Sequence, residues 1–158
     1  MNKELRISYK VIEANDLDET EKKLFDAAKK AREDAYAPYS NFLVGCALLL
    51  ESGEIIKGSN QENAAYPSGL CAERTTIYWA SANYPNAKIK KLFVLGAPRD
   101  VIEYPPTPPC GACRQSMLEY EAKQEEKIEI YIASLGGAIY KVDSIRSLLP
   151  FSFDQSFL

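Results

Sequence analysis

The chain has 158 residues, enough for one domain with a substantial core and too few for two ordinary ones. Hydrophobic residues at 46% and charged residues at 26% exclude the low hydrophobicity and charge excess of a disordered chain. A formal net charge of −3 provides no global cationic field, which argues against a dedicated nucleic-acid binder.

The first ten residues, MNKELRISYK, carry charge at Lys3, Glu4, Arg6 and Lys10 where a signal peptide has its apolar core. No apolar run approaches membrane-spanning length, so a cytoplasmic protein with no membrane partner is expected. Residues 5–14 alternate as a strand does, although an unpaired extension over 1–16 fits as well. Leu24, Phe25, Ala28, Ala31 and Ala35 recur at helical spacing between Asp18 and Tyr36, and Pro38 stops the run. NFLVGCALLLESGEIIKGSN reads as a strand, a turn around Ser52 and Gly53, and a returning strand. The first arm, Leu43 to Leu50, is apolar almost throughout, as suits a central strand covered on both faces.

A loop, QENAAYPSG, leads to a helix from about Cys71 to Asn83. KKLFVLGAP is the next buried strand, and the proline-rich RDVIEYPPTPP delivers the chain to a helix opening at Cys110. KIEIYIAS alternates Ile128, Ile130 and Ile132 against Glu129 and Tyr131, which predicts a strand with one wetter face. A Gly136-Gly137 turn returns it as AIYKV, and SIRSLL makes a short final helix. The order implies one α/β domain over 1–158, a mixed five-stranded sheet with helices on both faces.

There are four cysteines and no histidine. In a reducing compartment so few cysteines suggest metal or catalytic work in preference to a disulfide framework. Residues three apart on a helix share a face, so Cys110 and Cys113 can present both sulfurs to one point, as zinc requires. Cys71 is the better third ligand, because it too opens a helix. Zn²⁺ with three thiolates would carry a formal charge of −1, and two helix N-termini, each worth roughly half a positive charge, offset about that one unit. Arg74 and Arg114, in the first turns of these helices, are candidates to donate hydrogen bonds to sulfur. Cys46 sits in an apolar strand and reads as a small buried hydrophobe; as a fourth ligand it would make the site closed and structural. With three protein ligands one zinc position stays open, the mark of a catalytic site. Glu73, two residues after Cys71, is the candidate general base and acid.

CAER at 71–74 and PCGACRQ at 109–115 together resemble the zinc nucleoside deaminases, most closely the small homotetrameric cytidine deaminases. The resemblance extends from about Tyr39 to Phe153 and implies a three-layer α/β/α cytidine-deaminase-like fold with one Zn²⁺ per chain. It assigns Cys71, Cys110 and Cys113 to the metal and Glu73 to proton transfer. It also places Phe42 against the pyrimidine, Asn60 and Glu62 on the ribose hydroxyls, and the backbone N–H of Ala72 on the base. Phe153, and with it Tyr66, would reach a neighbouring subunit's pocket, so that a homotetramer shares its active sites. Cys46 stands where the family commonly has alanine, and the loop 98–109 is longer and richer in proline than is usual.

The implied reaction is hydrolytic deamination of cytidine and deoxycytidine, part of pyrimidine salvage. A carboxylate at the sugar would repel a phosphate, so Glu62 favours a free nucleoside over a nucleotide. Two rivals remain at this point: a deaminase of a nucleoside-like antibiotic, and a structural zinc module that binds a protein partner through a site closed by Cys46.

Overall fold

The computed structural model describes all residues from Met1 to Leu158. Six strands and three α-helices follow one another as β1 (Lys10–Glu13), α1 (Glu19–Glu33), β2 (Phe42–Leu50), β3 (Ile55–Ser59), α2 (Ala72–Asn83), β4 (Ile89–Pro98), α3 (Gly111–Gln124), β5 (Glu129–Ala133) and β6 (Ala138–Val142). The strands form one sheet in the order β1-β6-β5-β4-β2-β3, in which only β4 and β5 run parallel. Helix α3 is the crossover that parallel neighbours require. The expected mixed sheet and its helices on both faces are therefore present, but with six strands instead of five. The sixth is β1, which pairs antiparallel with β6 from Lys10↔Lys141 to Glu13↔Ala138. Its backbone gains the ladder bonds that an unpaired extension would leave to water.

Two apolar layers explain the alternation along β2. Cys46, Leu48 and Leu50 join Ile77, Val94, Met117 and Ile130 beneath α2 and α3. Ala47 and Leu49 join Leu24, Phe25, Ala28, Phe93 and Tyr131 beneath α1. Helix α1 opens with a capping box, in which Asp18 accepts from the Glu21 N–H and Glu21 accepts from the Asp18 N–H. It ends at Glu33, short of the expected Tyr36, because Tyr36 leaves the helix to exchange backbone bonds with Asn60 and Glu62. On the opposite face α2 lies close to β3 at Gly58, where an added Cβ would come within 2.6 Å of the Thr76 hydroxyl. This close seating fixes the height of the α2 N-terminus above the sheet.

The wetter face expected for β5 is not wet. Tyr131 is fully buried and stacks on Phe93 at 4.2 Å. Its hydroxyl ends in an ionic cluster, its one proton within reach of both Glu21 and Glu129, while Lys91 and Lys141 bridge the same two carboxylates. The polar ends of long side chains thus reach water over the rim of α1 while their stems are covered.

Burial alone would raise the pKa of Glu21, but the hydrogen bonds from Lys91 and Tyr131 outweigh it and hold the carboxyl down at about 2. A carboxyl whose folded pKa lies below its unfolded value stabilises the fold fully above the unfolded value and loses that contribution as pH falls toward the folded one. The stability gap between wild type and Glu21→Gln, read from thermal unfolding, should accordingly be wide at pH 7 and narrow steadily between about pH 5 and pH 3. A gap that stays constant over that interval would show that the charge of Glu21 does not contribute.

Candidate metal centre

The two helices that carry the cysteines both begin on one. Cys71 is the N-cap of α2 and Cys110 the N-cap of α3, each with extended backbone, and Cys113 lies in the first turn of α3. The carbonyl of Cys71 accepts from the backbone N–H and hydroxyl of Thr75, and that of Cys110 from the Arg114 N–H, so each sulfur leaves a helix turn that is already closed. The helices are tied together where Tyr78 donates to Ser116 at 2.9 Å. As a result the sulfurs of Cys71, Cys110 and Cys113 lie within 4.8 Å of one another, with Cys113 buried, Cys71 half-buried and Cys110 exposed.

Three sulfurs this close cannot all be thiolates without a compensating cation. The Cys71 thiol is drawn down to about 5, first by the hydrogen bond from Cys113 and then by Arg74, while Cys113 is pushed up by holding that same proton. A soft divalent cation relieves this competition, because it stabilises every thiolate at once, and a tight sulfur set beneath two positive helix ends fits zinc. Cys46 stands outside the trio. It is fully buried in β2, and burial pushes its thiol well above the ordinary value, with the charge of Glu73 adding to the rise.

Glu73 is 3% exposed, in the first turn of α2. Burial pushes its carboxyl up to about 7, against the pull of its own backbone N–H, and the charge on Cys71 adds to the rise. A surface glutamate would show neither the burial nor the shift. The Arg74 guanidinium donates to the Cys71 sulfur at 3.8 Å, as expected. Arg114 does not follow suit: its guanidinium donates to the carbonyls of Pro109 at 2.8 Å and Leu148 at 3.0 Å. It secures the approach to Cys110, because α3 turns the side chain toward the chain segment that returns past it.

A cleft of about 450 Å³ opens beside Cys71 and Arg74 and is lined by Asn60, Glu62 and Tyr66, three of the residues expected to hold substrate. The Asn60 amide accepts from the Val44 N–H and donates to the Phe42 carbonyl, which fixes it against β2. Glu62 accepts from the backbone N–H groups of Tyr39 and Ser40 and from the Ser40 hydroxyl, and these interactions hold its carboxyl below the ordinary value. Tyr39 and Ser40, absent from the residues singled out above, share the cleft with it. Their signal is positional: they follow Pro38 and precede Asn41, whose φ of 56° turns the chain into β2. Ala72 is buried at the start of α2. Phe42 and Phe153 do not line this cleft. Phe42 faces Tyr104, and Phe153 is exposed, stacked on Phe157 and bonded through its carbonyl to the Gln115 side chain.

Comparison with known proteins bears directly on this geometry. Residues 18–125 match the model of the cytidine and deoxycytidylate deaminase zinc-binding region. The chain belongs to the cytidine and deoxycytidylate deaminase family. It is 39% identical over 130 residues to the cytidine deaminase of Halalkalibacterium halodurans, covering 82% of this chain and 91% of that protein. It is 40% identical over 133 residues to that of Sporosarcina psychrophila, covering 84% and 90%. The crystal structure of cytidine deaminase from Burkholderia pseudomallei superposes with a TM-score of 0.72 at 38% identity, covering 84% of this chain and 98% of that one. Membership in a zinc-binding deaminase family and the clustered thiols identify zinc as the cofactor.

Substituting each cysteine by alanine should separate ligands from packing. Cys71→Ala, Cys110→Ala and Cys113→Ala are each expected to lose zinc and activity, whereas Cys46→Ala retains a full equivalent of zinc at a packing cost of about 1 kcal/mol. Metal analysis of the four purified variants checks this. Loss of zinc from Cys46→Ala would instead indicate a closed four-sulfur site.

Proposed function

We propose that this protein deaminates cytidine and deoxycytidine by zinc-dependent hydrolysis, forming uridine or deoxyuridine and ammonia. One observation carries the reading: three cysteine sulfurs converge at two helix N-termini beside a buried glutamate, in a chain of the deaminase family. Cys71, Cys110 and Cys113 hold the zinc, and the bound ion supplies an electrophile that brings the pKa of water toward neutrality. Glu73 takes the proton from the attacking water at its carboxylate and delivers it to N3 of the base. The same carboxyl then passes the second proton to the departing amine, so that one group serves both transfers. Its burial supports this assignment, since a shielded carboxyl does not exchange those protons with bulk water.

Asn60 and Glu62 bind the sugar, Phe42, which adjoins the cleft through its carbonyl's bond to Asn60, lies against the pyrimidine, and the Ala72 N–H addresses the base. Supporting the sugar assignment, Asn60 and Glu62 enter the reaction already oriented by their bonds to β2 and to the turn at Tyr39 and Ser40. The carboxylate of Glu62 disfavours a phosphate at that end of the cleft, which selects the free nucleoside. The active unit is one domain over 1–158 acting in the cytoplasm, and no helix is long and apolar enough to cross a membrane. It functions as a homotetramer, in which Phe153 of one chain completes a neighbour's pocket, approached also by Tyr66, which lines the cleft of its own chain. That Phe153 is exposed and apart from the cleft of its own chain favours this arrangement.

Cytidine turnover followed by ultraviolet absorbance tests the reaction and the shared site together. Glu73→Gln should keep its zinc and fold while losing at least about a thousandfold in kcat, and Phe153→Ala alone should be severely impaired. Mixing the two under subunit exchange should restore part of the activity, because a hybrid pocket can draw Glu73 from one chain and Phe153 from another. Near wild-type turnover by Glu73→Gln would refute its role as proton carrier. Failure to recover despite demonstrated exchange would refute the shared site.

A further inference from the structure

The loop between β4 and α3 packs an aromatic ring on Phe42. Tyr104 meets Phe42 edge to face, with ring centroids 5.6 Å apart and an interplanar angle of 72°, within the range at which aromatic pairs attract. The Phe42 ring also rests on β4: a Cβ added at Gly96 would come within 2.8 Å of the Phe42 ring carbon Cε1. The main chain of Phe42 is held as well, since its N–H donates to the Ser40 hydroxyl and its carbonyl accepts from the Asn60 amide. Phe42 therefore has a fixed backbone, a floor at Gly96 and a wall at Tyr104.

The wall is itself braced. The Tyr104 carbonyl accepts from the Leu135 N–H at 3.3 Å, and Thr107 donates to the Gly96 carbonyl at 2.9 Å, tying the loop back to the strand on which Phe42 rests. Pro105, Pro106, Pro108 and Pro109 restrict the intervening backbone, and the segment ends at Cys110. It is the ring of Tyr104 that meets Phe42. One short segment thus sets a metal ligand at its end and the ring beside Phe42 near its middle.

We propose that Tyr104 is a positioning residue for the pyrimidine, holding the Phe42 ring at the angle at which it receives the base. The inference rests on the deaminase reading and on Phe42 as the residue against the base. A wall at the side of Phe42 acts on the flat ring in ground and transition states alike, so its loss is felt in KM more than in kcat.

The test is steady-state turnover of cytidine by wild type, Tyr104→Ala, Tyr104→Leu, Tyr104→Phe, Phe42→Ala and the double variant Phe42→Ala/Tyr104→Ala, with zinc content and melting temperature measured for each. Tyr104→Ala and Tyr104→Leu should raise KM about three- to tenfold, the loss expected for one aromatic pair, with kcat within about twofold and zinc unchanged. Tyr104→Phe should keep the wild-type KM. In the Phe42→Ala background, Tyr104→Ala should add less than about 1.5-fold, because its route to the base is already gone. If the alanine variant does not fold, the leucine variant decides. An unchanged KM in the variants lacking the ring, a loss in kcat alone, or full multiplication of the two effects in the double variant would overturn the proposal while leaving the deaminase standing. Absence of cytidine turnover by the wild type would overturn the deaminase reading, and this inference with it.

Discussion

Bringing three thiolates together is an electrostatic problem, and the rest of the structure is arranged around solving it. Like charges a few ångströms apart in a half-buried site repel strongly, and without a cation Cys71 and Cys113 avoid that by sharing a proton in a hydrogen bond, which lowers the first thiol and raises the second. Two helix N-termini directed at one point answer it in part, and a divalent cation answers the remainder. Because Cys71 and Cys110 are themselves the N-caps, the two helices set where the backbones of these residues stand. The same placement makes Glu73 the second residue of the helix that Cys71 opens, so the candidate metal ligand and the proposed proton carrier share one support.

The scaffold holds those helix ends at a fixed height and angle. Gly58 lets α2 settle on β3, and the Tyr78–Ser116 hydrogen bond links α2 to α3. At the far end of α3, the buried carboxylate of Glu121 accepts from the backbone N–H groups of Ile128, Ile145 and Arg146 and from the Ser144 hydroxyl. A single acidic side chain thereby satisfies donors from two separate segments and anchors the helix that carries two ligands. Arg114 adds its bonds to Pro109 and Leu148 at the other end. Removing such a buried acceptor would leave several donors unpaired, which makes Glu121 a structural counterpart of the metal site on the same helix.

Much of this was legible in the sequence because it depends on local rules. The apolar run at 43–50, the Ser52-Gly53 turn and the spacing of Cys110 and Cys113 each follow from periodicity or helix geometry, and all three appear where expected. What escaped depends on contacts between distant segments. Tyr131 reads as a solvent-facing residue until α1 covers it and Glu21 and Lys91 collect around its hydroxyl. The pairing of β1 requires knowing that β6 would otherwise be a sheet edge. Arg114 resembles Arg74 in sequence position, yet its guanidinium is claimed by carbonyls from Pro109 and Leu148, the latter contributed by a segment 34 residues away. The contact between Tyr104 and Phe42 likewise spans the chain, and only the density of prolines around Tyr104 hints that its loop is rigid enough to matter.

Coordination at the metal is the decisive property, since the open position distinguishes a reaction centre from a structural clasp. X-ray absorption at the zinc edge of the purified protein reads the donor set without any substitution. Three sulfur donors and one lighter donor per zinc are expected. Four sulfurs would mean that Cys46 leaves its buried place in β2 to close the site, and would contradict it.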